Sequence, residues 1–414
     1  MLSFKRQLIS EAAQKNTHMT HIEDLVLDGG VKGARQAILA LRALRDMLSG
    51  NAKAPVDVTV KWDGAPALFA GMDPRDGQFF VAKKGIFNAN PKVYKNHAEI
   101  DADTSGDLSK KLKIAFDNLK NLGITNVIQG DFMFDKGDVK SENINGISHV
   151  TFHPNTIVYA VPTGTSLAKE ILKAEIGIVW HTTYSGGTFE TMKAEFGKLI
   201  TPGIKQTSKV WQVDATLPDI SGSATMTAKE TEEVTKYLST AGKIFKTVSG
   251  TTLKEIESNK ELNLLINTYN NTKVRKGERI TNTTAHVKGL IDWVNDRYMK
   301  QIDKLSSEKG KANKNKQREA ILSFFSKSNQ KKLINVFDLQ NSVVDSKLII
   351  INKLNGLNKI GTFVKTKSGF KVTNPEGFVA IDRMEGGAVK LVDRLEFSAN
   401  NFSKDIIKGW ESPN

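Results

Sequence analysis

Apolar residues in this chain keep two different periods, and the order in which the periods alternate limits the folds open to it. From Val56 to about residue 190 they tend to recur at every second position in short runs. These runs are "VDVTVKW", "PALFAGM", "GQFFVAKKG", "TNVIQGDFMFD", "SHVTFHPNTIVYAV" and "IGIVWHTTY". Such runs, bounded by turn residues, predict half-buried strands. One helical interval, "DLSKKLKIAFDNLKNL", lies among them. From about 226 to 345 the spacing lengthens to three and four, in "TAKETEEVTKYLSTAGKIF", "AHVKGLIDWVNDRYMKQIDKL" and "KQREAILSFFSKSNQKKLINVF". That is the period of amphipathic helices. Alternation returns in "IGTFVKTKSGFKVT", with a hairpin signal at Ser368-Gly369, and then in "GFVAIDRM" and "AVKLVDRLEFS". Strands, helices and strands again predict one α+β core interrupted by a helical insertion. The expected divisions are an N-terminal helical segment at 1–55, the first part of the core at 56–225, a basic helical insertion at 226–345 and the second part of the core at 346–414.

Composition removes several classes of function. The 414 residues include no Cys, which excludes disulfides, thiolate zinc sites and a Cys nucleophile and suits a cytoplasmic protein. No apolar run reaches the roughly 18 residues of a membrane span, so no membrane partner is expected. The N-terminal "MLSFKRQLISEAAQKN" lacks the apolar core and small-residue cleavage site of a secretory signal. The net charge of +14 favours a polyanionic partner, nucleic acid first. Between Lys300 and Lys332 ten Lys or Arg face three acids. Lys309, Lys311, Lys314 and Lys316 in this segment are candidate phosphate contacts, set against the simpler reading of a solvated helix face. Phe324 and Phe325 read as helix packing. The "GGVKG" at Gly29 opens a helix that closes at Ser49-Gly50, and no preceding strand or Gly-Lys-Ser/Thr supports a phosphate loop there.

Four pieces of the β-rich region carry polar residues in unusual places. Lys61 ends the first strand run, and Asp63-Gly64 and Pro66 supply turn chemistry just after it. Lys83, Lys84 and Gly85 end another apolar run. Asp131 lies between Ile128 and Phe132-Met133-Phe134, after a Gly. Glu376-Gly377 opens "GFVAID", and Lys390 follows in "GAVKLV". Taken in order, these pieces resemble motifs I, Ia, III, IV and V of the covalent nucleotidyltransferase superfamily, the ATP-dependent DNA and RNA ligases and the mRNA capping enzymes. The resemblance covers 56–190 and 360–397, and "KWDG" and "EGFVA" are its most specific matches.

The resemblance implies a core of antiparallel sheets flanked by helices, and a chemistry. Lys61 would attack the α-phosphate of ATP and carry the nucleotide covalently. A lysine amine attacks only after losing its proton, and neighbouring cations such as Lys390 or Lys84 favour that loss. Asp131 and Glu376 would supply oxygen ligands to Mg²⁺ or Mn²⁺. Lys390 would contact the α-phosphate, Lys84 would make the motif Ia contact, and Asp63 would shape the turn or reach the nucleotide sugar. Nucleotide contact would thus fall to Lys61, Asp63, Gly64, Lys84, Glu376 and Lys390. The chain departs from the pattern where Thr59 replaces a common Glu, where Asp131 replaces a common Glu, and where "Lys390-Leu391-Val392" lacks a second Lys. Trp180, Phe152 and Tyr159 compete for the base-stacking position, each also readable as core. About 20 residues follow motif V, too few for an oligonucleotide-binding domain. That points to RNA-ligase-like members.

Two other sites carry less. His149 and His153 in "HVTFH" would lie about 13 Å apart on a strand, too far to share a metal. No Gly-x-Ser-x-Gly or His-Glu-x-x-His occurs. The expected function is an ATP-dependent polynucleotide ligase, RNA favoured over DNA. The alternatives are a guanylyltransferase or other nucleotidyltransferase, and a non-catalytic nucleic-acid-binding or viral structural protein with a ligase-like fold. A Cys-free, Lys- and Asn-rich chain suits a bacteriophage product in a host cytoplasm.

Overall fold

A computed structural model describes residues 19–50, 56–217, 225–357, 360–382 and 388–411. The amphipathic N-terminal stretch lies outside them. The chain forms, in order, β1 (Val56–Lys61), β2 (Ala67–Met72), β3 (Phe79–Ala82), β4 (Val127–Asp135), β5 (Lys140–Ile144), β6 (Ile147–Phe152), β7 (Ile157–Pro162) and β8 (Ile176–Ser185). Then come β9 (Lys193–Phe196), β10 (Val210–Asp214), β11 (Gly361–Thr366), β12 (Gly369–Val372), β13 (Gly377–Asp382), β14 (Ala388–Leu391) and β15 (Ile406–Ile407). They assemble into three sheets. The first is β1-β13-β14; the second runs β10-β8-β4-β2-β3 with β9 on β8; the third runs β12-β11-β7-β6-β5 with β15 on β11. All strand pairs are antiparallel except β10 with β8. The fold is α+β.

Local sequence explains the joints. Asn145 and Gly146, at φ 53° and 84°, make the two-residue turn between β5 and β6. Two positive φ values in succession match the right-handed strand twist, and Asn-Gly accepts them readily. Thr227 and Glu230 form a reciprocal capping box that starts the helix Ala228–Thr247.

The helical region and the N-terminal helix Gly30–Leu48 share one core. Leu41, Leu44, Leu238, Leu290, Phe337 and Val343 belong to it, together with Val56, Val58 and Val60 of β1 and Phe378, Ala380 and Leu391 of β13 and β14. The first sheet therefore lays one face on the helical body. The expected division at 345 falls inside the helix Lys327–Asn355, which runs on along Ala228–Thr247. Lys353 near its end pairs with Glu230 at 3.0 Å, so the two ends of the helical region do meet. No helix among the described residues is long and apolar enough to cross a membrane.

A buried ionic link fastens the N-terminal segment across this body. Lys390 N–H donates to the Thr20 carbonyl at 3.0 Å, and Ile22 N–H to the Lys390 carbonyl at 3.1 Å. The next side chain along, Glu23, pairs with Lys347 at 2.7 Å, the two being 4% and 1% exposed. Lys347 also donates to the Val392 carbonyl at 2.8 Å. Burial alone would raise the Glu23 carboxyl; Lys347, His21 and Arg394 outweigh it and hold it below its ordinary value. Removing one partner strands a charge in a dry interior. Lys347→Ala is therefore expected to cost about 3–5 kcal/mol in urea unfolding followed by circular dichroism. The apolar double replacement Glu23→Leu with Lys347→Met should cost less than Lys347→Ala alone.

Candidate active site

Lys61 is the last residue of β1 and faces Gly377 across the ladder with β13. That register sets Glu376 beside it, and Lys61 Nζ pairs with Glu376 Oε1. Gly377 has φ 145°, and a Cβ there would stand 2.5 Å from the Leu391 carbonyl oxygen, so the strand can enter at this point only as glycine. Lys390 lies on the next strand over, opposite Val379, which itself opposes Thr59. Alternation then puts the Lys61 and Lys390 side chains on the same face of the sheet. Burial, and after it Lys61, pushes the Lys390 amine below its ordinary value, with Glu376 opposing.

The turn after Lys61 brings the second sheet against the first. A Cβ on Gly64 would lie 2.5 Å from Asp131 Cβ and 2.9 Å from Met133 Sδ. Ala65 N–H donates to the Phe132 carbonyl at 3.0 Å, and Phe132 N–H to the Pro66 carbonyl at 3.1 Å. Close backbone approach is thus what Gly64 contributes, and it sets Asp131 in the field of Lys61. The Asp131 carboxyl is pushed up to about 7 by burial, with Glu376 and Asp63 adding to the effect and Lys61 and Lys84 opposing it. Burial likewise raises the Glu376 carboxyl, against the pull of Lys61. Lys84 begins a short 3₁₀ turn after β3 and is exposed. Its neighbour Lys83 is tied to Asp103 at 3.0 Å.

A residue that the sequence reading passed over joins this group. Gln129 of β4 faces Thr182 of β8, yet Gly130 faces Trp180, so His181 is the extra residue of a β-bulge. Bulges re-aim a side chain at the cost of one ladder position. His181 Nε2 stands 3.9 Å from Asp131 Oδ2, and burial, then Lys61, pushes the imidazole down to about 4.

Asp63 has a different role from its neighbours. Its Oδ1 accepts from Asn155 Nδ2 at 2.6 Å, and its Oδ2 from the Thr156 and Ile157 N–H groups at 2.7 and 2.9 Å. Its own N–H donates to Tyr159 Oη at 2.7 Å. Both carboxylate oxygens are engaged by the chain itself, which fits a turn-shaping role and leaves no oxygen reserved for a sugar. The three aromatic candidates are core: Trp180 is fully buried and donates to Gln212 Oε1 at 3.1 Å, and Phe152 and Tyr159 stack under the third sheet.

The other expected groups divide. In the helix Glu308–Phe324, Lys309 and Lys316 are exposed, but Lys311 pairs with Glu308 at 2.9 Å. Lys314 donates to Gln317 Oε1 at 3.0 Å and sits 4.9 Å over the Tyr298 ring. At the "GGVKG" opening, the Glu257 carboxylate occupies the space a side chain on Gly30 would take, so a carboxylate of the chain itself fills that helix start. His149 bonds through Nδ1 with the Ile147 carbonyl at 2.8 Å. Among the described residues no group of three or more His, Asp or Glu is placed to hold a metal. Asp131 and Glu376 are a two-carboxylate set, Glu376 raising Asp131, which suits Mg²⁺: that ion keeps several waters and takes one or two carboxylates beside substrate phosphates.

Residues 16–406 match the model of a family of unknown function (DUF6267), and the chain belongs to that family. No curated protein and no solved structure matches it.

The raised Asp131 carboxyl has a signed consequence for stability. In the folded protein it holds its proton up to about pH 7, whereas the unfolded chain releases it near the reference value of about 3.9. The stability this contributes is complete below the unfolded value and is lost as pH rises through the folded one. Asp131→Asn removes that loss. With a metal chelator present, the variant is expected to gain stability relative to the parent from about pH 4 to pH 7 and to run parallel above that, as read from urea midpoints along a pH series.

Proposed function

We propose that this family member is an ATP-dependent polynucleotide ligase, with RNA favoured over DNA, working through a covalent lysyl-AMP at Lys61. One observation carries the reading. Lys61, Asp131, Glu376 and Lys390, drawn from both ends of the chain, act on one another in a single half-buried cluster. A strand-end lysine held by a carboxylate, beside a second lysine and a second half-buried carboxylate, suits nucleophilic attack on a phosphorus centre.

The chain's own residues divide the work. Glu376 holds the Lys61 side chain at the strand end. The deprotonated Lys61 nitrogen attacks the α-phosphorus of ATP; a P–N bond forms, the bond to the bridging oxygen breaks, and pyrophosphate leaves. Lys390, on the same face, attracts the α-phosphate oxygens. A 5′-phosphate oxygen then attacks the adenylyl phosphorus, and the P–N electron pair returns to Lys61. A 3′-hydroxyl finally attacks the activated 5′-phosphorus, joins the strands and releases AMP. A divalent metal held by Asp131 and Glu376 would screen phosphate charge when bound. Asp63 and Gly64 keep the Lys61 turn against β4.

The test is incubation with α-labelled ATP and Mg²⁺ or Mn²⁺ followed by denaturing electrophoresis. The parent should retain label, and Lys61→Ala and Lys61→Arg should not, since a guanidinium stays protonated. Undiminished label on Lys61→Ala would sink the assignment. Label from GTP alone would make the protein a guanylyltransferase, and no label from either nucleotide a non-catalytic binding protein.

A further inference from the structure

The outer face of the third sheet does not look like the solvent side of an ordinary antiparallel sheet. Register and alternation put Lys140 of β5, Thr151 of β6, Val158 of β7, Phe363 and Lys365 of β11 and Phe370 of β12 on one face. Val150, Tyr159 and Val161, on the opposite face, fill the core. An antiparallel sheet with one wet face normally carries polar side chains there. Here the rings of His149, Phe363 and Phe370 follow one another across it, at centroid separations of 6.4 and 6.5 Å. Ile147 and Val372, on the same face by alternation, are 58% and 68% exposed.

Beside the rings lies a cleft of about 470 Å³, lined by Lys140, Thr151, His153, Val158, Lys365 and Phe370, with Gly409 at its edge. Trp410, the next residue, is 68% exposed. Lys365 sits 5.7 Å over the Phe370 ring and 3.5 Å from Glu142. Glu142 and Asp138 are the acids in the cleft lining; Lys367 and Lys371 add cations on the β11–β12 hairpin. Nε2 of His153 is buried and has no hydrogen-bond partner.

We propose that this face is a binding platform for a single-stranded polynucleotide, with bases on Phe370 and Trp410 and phosphates at Lys140 and Lys365. The proposal rests on the ligase reading for its biological use. Ring faces are offered only by unpaired bases, and aromatic platforms beside lysines bind single strands with little regard to sequence. The net charge of +14 favours a polyanion over a protein partner. The basic helix Glu308–Phe324 is the weaker candidate: Lys311 and Lys314 are engaged within the chain, and Phe324 and Phe325 are buried. The platform also adjoins the candidate active site, because the Asn155–Ile157 segment that follows His153 is the one bonded to Asp63.

The test uses the full chain and a short fluorescent homopolymer, single-stranded or annealed to its complement, with anisotropy followed across a salt series. Phe370→Ala with Trp410→Ala is expected to weaken single-strand binding at least tenfold, by about the loss of two stacked bases. Phe370→Tyr with Trp410→Phe should restore binding to within about twofold. Lys140→Ala with Lys365→Ala should lower the log–log salt slope by up to about two units. Equal affinity of the ring-deleted variant and the parent would overturn the platform. So would duplex binding as tightly as single strand, or mononucleotides competing as well as the strand. Lys61 labelling is measured in parallel and should survive in every variant. Ring-dependent binding without labelling in the parent would overturn the ligase reading alone and leave the platform standing.

Discussion

The β1–β13 ladder is the constraint on which the rest depends. It joins residues 56–61 to 377–382, two segments separated by more than three hundred positions, in six consecutive pairs. Closing so long a loop carries an entropy cost that grows only slowly with length, so the sequence between can be a whole helical body. Both strands turn apolar residues into the same core as that body, which ties their register to its packing. A slip of one residue would reverse every side chain of β1 and carry Lys61 to the helical side. The same register that buries Val56, Val58 and Val60 therefore also sets Lys61 beside Glu376.

The second constraint is Asp63. A buried carboxylate accepting two backbone N–H groups and a side-chain amide is well satisfied, and such bonds to a charged acceptor are among the stronger ones. Its partners start β7, and its own N–H reaches Tyr159 within that strand. The turn carrying Lys61 is thus bonded to the third sheet on one side, while Gly64 and Ala65 press it on the second sheet at β4 on the other. All three sheets meet at four consecutive residues, Lys61 to Gly64.

Much of this was readable in the chain. The runs expected as strands hold β1 to β4, β6 to β8 and β11 to β14, and the Ser368-Gly369 hairpin joins β11 to β12. Only "AVKLVDRLEFS" departs, leaving the strand after Leu391 for a helix at Arg394–Phe402 that Asp393 caps. Period alone suffices where one face is dry. It fails for β5, "KSENI", where only Ile144 is buried, so that no alternation marks the strand. There the Asn145-Gly146 turn was the usable signal. Position 345 could not be read as the middle of a helix, because Lys327–Asn355 packs against several elements and has no single apolar stripe to follow. In the site, Lys61, Asp131, Glu376 and Lys390 stood out as charges in β-prone runs. His181 did not, since a bulge depends on how two distant strands are counted against each other and leaves no mark on either. Asp63 was legible as important and ambiguous as to why, because sequence shows a carboxylate after a strand but not the N–H groups it meets.

The charges gathered at this point explain why the site must be built from so many elements. Burial and then Glu376 make Asp131 harder to ionise, and burial and then Lys61 disfavour the charged form of Lys390. A cluster of this kind does not assemble for its own stability, since burying charge costs more than exposed pairing returns. It persists because the surrounding packing leaves it no alternative: β13 can enter only through Gly377, Gly64 admits β4 to contact, and the buried Glu23–Lys347 pair holds the Val392 end of β14, on which Lys390 lies. Under the proposed ligase chemistry, a phosphate entering the cluster would meet cations whose field is already in place. The third sheet bears on the same point from outside, for the segment linking its aromatic face to Asp63 also sets the height of the Lys61 turn.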